Sequence, residues 1–169
     1  MTMEPATPPR RRKQTDNHEF KVIRLRELPA TIPCCDCPEQ IYTYWMANIA
    51  TASWYTPDVE CLCAIHLNTR RRATGFHLVG IGTLDTVLMS PRELFRTAIV
   101  RNASAIVVAH SHPSGDPSPS EADIRATRDL VRAGQLLRIH VLDHVIIGAP
   151  SPERPEAWAS LRALGYVNP

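Results

Sequence analysis

The chain has 169 residues, a net charge of only +2, and 44% hydrophobic against 21% charged residues, the proportions of one ordinary globular domain with an appended element. They exclude global disorder and a strong general nucleic-acid footprint; Lys occurs only at Lys13 and Lys21, so the rest of the 19 basic residues are Arg. The longest apolar run, Ala103–Ala109, is interrupted by Ser104 and falls well short of the ~20 residues that a bilayer span needs, so no membrane crossing is expected.

Residues 1–20 hold Pro5, Pro8 and Pro9 and the run Arg10, Arg11, Arg12, Lys13, with almost no apolar side chain before Phe20. Such a segment cannot repay the entropy of ordering and reads as a flexible basic arm. A solvated tail is its plain interpretation; contact with an acidic surface such as nucleic acid is the alternative. Without an apolar region behind the charges, no export signal is expected, and the cytoplasm is the default compartment. Five cysteines, an odd number, then point to reduced thiols or metal ligands and away from a disulfide framework.

Pro38 suits a first helical turn, and Ile41, Tyr44, Trp45, Ile49 and Ala52 follow at near-helical spacing. Val59–Leu67 and Ala73–Gly82, joined by Asn68, Thr69 and Arg70, Arg71, Arg72, predict an antiparallel hairpin with a solvated tip. Ser90, Pro91 and Glu93 form a helix-start signature with a capping box, ahead of inward-facing Leu94, Phe95 and Ala98. Ser104–Ala109 is a β-branched run suited to a central strand buried on both faces. A helix is predicted from Ser120 to about Ala133, with Ile124, Thr127, Leu130 and Val131 on one face and Gly134 as its stop. Arg138–Gly148 returns as a strand. Residues 150–169 read as an extension, with a short helix over Glu156–Leu164 after Pro150, Pro152 and Pro155. The fold class is α/β, a mixed β-sheet flanked by helices.

The chemistry concentrates in HSHPSGDPSPSEAD, residues 110–123. His110 and His112, two apart, place both rings on one side of an extended chain. Pro113, Gly115, Pro117 and Pro119 make a turn able to bring the Asp123 carboxylate back toward them. Two imidazoles and a carboxylate make a catalytic zinc shell with a position left for water. Ser120 and Asp123 also match the Ser-x-x-acid helix cap, and the two interpretations are compatible.

The spacing His110, His112, Ser120, Asp123 resembles the JAMM (JAB/MPN+) metalloprotease signature. HPSGDPSPS, the upstream SPRELFRTAI and the downstream LLRIHVLDHVIIG are similar to the RadC branch, over about residues 38–148. The resemblance implies a JAB/MPN fold similar to that of cytidine deaminases, with Zn2+ held by His110, His112 and Asp123. It implies a glutamate as general base, for which Glu60 is the candidate, and a serine, matched by Ser120, that helps stabilise the oxyanion. Ser111 stands where RadC relatives usually carry Asn. Many RadC proteins also carry a helix-hairpin-helix motif for which residues 1–37 leave no room, so DNA binding by that route is not expected.

Weaker signals have plainer explanations. Cys34 and Cys37 with Cys61 and Cys63 could supply a second, structural zinc, but core packing is the better account of buried thiols. Pro33, Cys34 and Cys37 imitate the P-C-x-x-C of zinc deaminases, yet precede an H-x-H where those enzymes place it after an H-x-E. Asp143 and His144 resemble a D-H pair of the family, His144 being either a support behind the ligands or structural. His66, His77 and His140 read as strand side chains, and Trp45, Trp54 and Phe95 as core anchors.

The expected function is zinc-dependent hydrolysis of an amide bond in a protein or peptide substrate, peptide or isopeptide. The alternatives are a DNA-associated accessory protein of the RadC type, in repair or mobile-element maintenance, and a metal-dependent nuclease. A nuclease more often uses carboxylate-rich metal pairs, and one metal set is evident here.

Overall fold

A computed structural model describes residues 33–83 and 88–168; the basic arm over residues 1–20 lies outside them. The elements in chain order are α1 (Pro38–Tyr44), β1 (Cys61–Leu67), β2 (Ala73–Ile81), α2 (Pro91–Val100), β3 (Ala105–Ser111), α3 (Glu121–Leu137), β4 (His140–Ile147) and β5 (Trp158–Ser160). They build one five-stranded sheet in the order β2-β1-β3-β4-β5. Only the β3–β4 pair is parallel, with α3 as its crossover; the others are antiparallel. The sheet is mixed and flanked by helices, as the sequence predicts.

The apolar runs in β1 and β3 follow from their place: both strands are buried along their whole length because both faces of the sheet are covered. On one face, Ile41, Tyr44, Trp45 and Ile49 pack over Cys63, Ile65, Val107, Val145 and Ile147. On the other, Leu94, Phe95, Ala98 and Leu130 from α2 and α3 pack over Leu62, Ala64, Ile106 and Val108. Strand alternation places His110 on this second side, toward α3.

Four expectations need correction. The first helix does not run uniformly: from Trp45 to Ile49 it widens into a π-helical segment, with Ala50 N–H donating to the Trp45 carbonyl at 2.9 Å. The capping box of Ser90 and Glu93 does not form; Ser90 makes no side-chain cap bond, and Glu93 instead pairs with Arg96 at 3.2 Å. Gly134 does not stop α3, which runs on to Leu137 and ends at Arg138 with φ 55°. Its small size serves packing, since a Cβ there would lie 2.5 Å from the Ile139 carbonyl oxygen and 3.2 Å from the Phe95 ring. The helix predicted at Glu156–Leu164 is absent. Trp158–Ser160 instead pairs as β5 with the open edge of β4, and a turn follows to Gly165, φ 84°.

Among the described residues no helix is long and apolar enough to cross a membrane. Cys35, Cys61 and Cys63 are core residues, and burial pushes the Cys35 thiol up to about 12. No thiol joins a cluster of metal-type side chains among the described residues.

Candidate metal centre

β3 and β4 run parallel, so the loops leaving their C-terminal ends meet at one end of the sheet, where the N-terminus of α3 also arrives. His110 lies within β3, fully buried, and His112 follows just past its end, with its N–H donating to the Ile147 carbonyl at 2.8 Å. Asp123 sits in the first turn of α3. These are the one group of three or more metal-type side chains among the described residues; one ligand atom from each lies within 4.8 Å of the others. His110 Nε2 is 2.9 Å from His112 Nε2 and 3.4 Å from Asp123 Oδ1, and His112 Nε2 is 3.7 Å from Asp123 Oδ2. Bonds of about 2.0–2.1 Å to one tetrahedral ion set ligands about 3.3 Å apart, close to this spacing.

Each candidate ligand is held from behind. The Asp123 carboxylate is fixed by a completed capping box: Oδ2 accepts from the Ser120 N–H at 2.8 Å and from the Ser120 hydroxyl at 2.6 Å, while Asp123 N–H donates to Ser120 Oγ at 3.1 Å. The helix N-terminus favours the carboxylate's negative charge. His112 Nδ1 lies 2.8 Å from the Asp116 carbonyl oxygen. A carbonyl only accepts, so His112 carries a proton on Nδ1 and turns Nε2 toward the cluster. Arg154 clamps that loop, donating to Asp116 Oδ1 at 2.9 Å and to the Gly115 carbonyl at 2.8 Å. Burial, reinforced by the neighbouring His112, lowers His110 to about 3, so its ring is neutral at ordinary pH. The donor set therefore fits a divalent cation of the zinc type: two imidazoles and one carboxylate.

Glu60 arrives through strand register. Leu62 faces His110 in the antiparallel β1–β3 pair, so two residues back along β1 and two on along β3 bring Glu60 opposite His112. Glu60 Oε1 lies 4.0 Å from His112 Nε2, and the residue is 6% exposed. Its backbone bonds to Gly82 and Thr83, extending the β1–β2 ladder. Ser111 turns away from the ligands, and its Oγ accepts from Cys61 N–H at 3.1 Å, fixing the residue after Glu60. His112 is the partly exposed member of the group, so access to the cluster is from its side.

The structure thus brings His110, His112, Asp123, Ser120 and Glu60 to one end of the sheet. Ser120's hydroxyl is engaged by Asp123. His144 stands behind His110, ring nitrogens 2.8 Å apart, and Asp143 points the other way to accept from Ser160 Oγ at 2.7 Å and Arg162 N–H at 3.0 Å. Thr127, Asp116 and Arg154 were not among the expected site residues. Thr127 did carry a signal, a polar residue on a helix face otherwise apolar; Arg154, within a Pro-rich connection, carried none.

Comparison with known proteins agrees with this architecture. The chain is 40% identical over 145 residues to a UPF0758 protein of Desulforamulus reducens, covering 85% of this chain and 59% of the relative. It is 50% identical over 91 residues to a UPF0758 protein of Moorella thermoacetica, covering 54% of this chain and 40% of the relative. The chain therefore spans about 40% to 59% of the length of these curated relatives. The family model of the RadC-like JAB domain matches residues 35–166, β5 and the turn after it included. By its sheet, by the cluster at the end of β3 and by this match, the chain belongs to the RadC-like JAB domain family.

Proposed function

We propose that the chain is a zinc-dependent hydrolase of amide bonds, peptide or isopeptide, in a protein or peptide substrate. The observation that carries this reading is the convergence of His110, His112 and Asp123 with the Glu60 carboxylate beside them, 4.0 Å from His112 Nε2. His110, His112 and Asp123 would hold the ion. When bound, zinc supplies Lewis acidity that brings the ionisation of water to about neutral pH.

Glu60 takes the proton of the attacking water and returns it to the leaving amine nitrogen, so that an O–H and the C–N bond break while a C–O and an N–H bond form. Its low exposure keeps bulk water from competing for that proton. Ser120 acts first through Asp123, holding Oδ2 by both its N–H and its hydroxyl. Stabilising the oxyanion as well requires that hydroxyl to leave Asp123 when substrate binds. Five free cysteines, three of them buried, suit a reducing compartment such as the cytoplasm.

The test begins with metal analysis of protein loaded with zinc and dialysed. About one equivalent is expected, as one ligand set implies, and its loss in His110→Ala and Asp123→Ala; undiminished zinc in both variants rejects the centre. Glu60→Gln should keep the metal and lower cleavage of a mixed peptide and isopeptide library by about 10²–10⁴-fold. Cleavage at the wild-type rate in that variant rejects Glu60 as the base.

A further inference from the structure

The metal ligands account for one nitrogen of each ligand histidine; the chain of bonds behind His110 carries more. Thr127 Oγ1 lies 2.6 Å from the Asp123 carbonyl oxygen, which can only accept, so the single hydroxyl proton of Thr127 is used there. The same oxygen lies 2.6 Å from His144 Nδ1 and must therefore accept from it, which places the His144 proton on Nδ1. His144 is wholly buried, and a neutral imidazole with Nδ1–H has a bare Nε2. That Nε2 is 2.8 Å from His110 Nδ1, so His110 donates, and its own proton is on Nδ1. His110 Nε2 is left bare, 2.9 Å from His112 Nε2.

We infer that Thr127 and His144 are positioning residues that set the tautomer of His110, turning its Nε2 lone pair toward the metal. The inference rests on the proposed centre for its purpose, while the bond chain itself is independent of any ion. Its geometry closes on one residue: the relay starts at the Asp123 backbone carbonyl and ends beside the Asp123 carboxylate. One turn of α3 thus orients a carboxylate ligand directly and a histidine ligand through two side chains. The relay also decides between competing states. Without the Thr127 oxygen, His144 is free to carry its proton on Nε2 and donate to His110 Nδ1. The His110 proton then moves to Nε2, where it bonds to His112 and blocks coordination. Partners behind metal-binding histidines act in this way, fixing tautomer and ring orientation.

The experiment reads the ring directly, by nitrogen-15 shifts of His110 in metal-free protein. Wild type should show a protonated Nδ1 and a bare Nε2; Thr127→Val and His144→Phe should show mixed or reversed protonation, and Thr127→Ser the wild-type pattern. Zinc affinity, by competition with a chelator, should fall about 10–100-fold in His144→Phe and toward the lower end of that range in Thr127→Val. Circular dichroism checks folding, and Thr127→Val conserves volume should His144→Phe fail to fold. A wild-type His110 protonated on Nε2 overturns the inference, as does a folded Thr127→Val with wild-type ring shifts and affinity. Should wild-type protein take up no zinc, the proposed function falls, and the ring shifts, read without metal, still decide the relay.

Discussion

His66 and His110 lie on the same face of the neighbouring strands β1 and β3, toward opposite ends of the pair. Both are wholly buried, and burial is the main reason that His66 is lowered to about 4 and His110 to about 3. The resemblance stops there. His66 Nε2 sits 3.1 Å from Thr97 Oγ1, and its Nδ1 has no partner among the described residues. His110 has Nδ1 bonded to His144 and Nε2 facing His112. A buried neutral imidazole is thus a core residue at one end of the sheet and the centre of a site at the other. Burial supplies the lone pair; convergence with other donors gives it something to do.

The contrast breaks most sharply on metal. His110→Ala should abolish zinc uptake, whereas His66→Gln should leave it unchanged; loss of zinc in both variants, read by metal analysis of folded protein, would erase the distinction drawn here.

Next in size is a pH effect at the other end. His66 has its folded value below the ordinary 6.5 because burial, then Arg101, disfavours the cation. Between pH 6.5 and about 4 the unfolded chain binds more protons at this residue, so its contribution to stability is full above that window and lost as pH falls through it. The loss is on the order of 3 kcal/mol. Urea unfolding of metal-free wild type and His66→Gln at pH 7 and near pH 4.5 should therefore give a smaller drop in the variant, and equal drops would refute the assignment.

Smaller effects sharpen the other half of the comparison. Ser120→Ala removes the side chain of a completed capping box and should cost about 1 kcal/mol of stability without metal. It should also weaken zinc binding, because Asp123 loses the hydroxyl on Oδ2. A thermal shift without any change in zinc affinity would make Ser120 a cap alone. Arg154→Ala should cost a similar amount, about 0.5–1.5 kcal/mol for its bonds to the loop, and leave zinc binding the least changed. Most of that change should appear as faster amide exchange at Gly115 and Asp116, and uniform exchange across the domain would contradict a local clamp.

Much of this was legible before any coordinates. The His110, His112, Ser120 and Asp123 spacing works at the level of local structure: a strand end, a turn and a helix cap, each with its own residue preferences. Asp123 as cap follows from that same short stretch, and the ligand role proposed for it uses the same carboxylate. Glu60 was legible by resemblance, yet its place beside His112 depends on how β1 registers against β3, a pairing of residues about fifty positions apart.

Sequence by itself determined the strand and helix order as far as β4 through apolar periodicity and the spacing of the candidate ligands through one continuous segment; the family was legible as a resemblance in the motifs around that spacing. Tertiary structure decided what depends on distant partners. Trp158–Ser160 became a strand because β4 had an open edge with unpaired backbone groups. Gly134 became a packing residue because the Ile139 backbone and the Phe95 ring come close to it. Thr127 and His144 became a relay because α3 lies over β4 and brings a hydroxyl to an imidazole at 2.6 Å. Local preferences act over a few residues and are written in order along the chain; the direction of a hydrogen bond between two buried side chains is set only when the layers close.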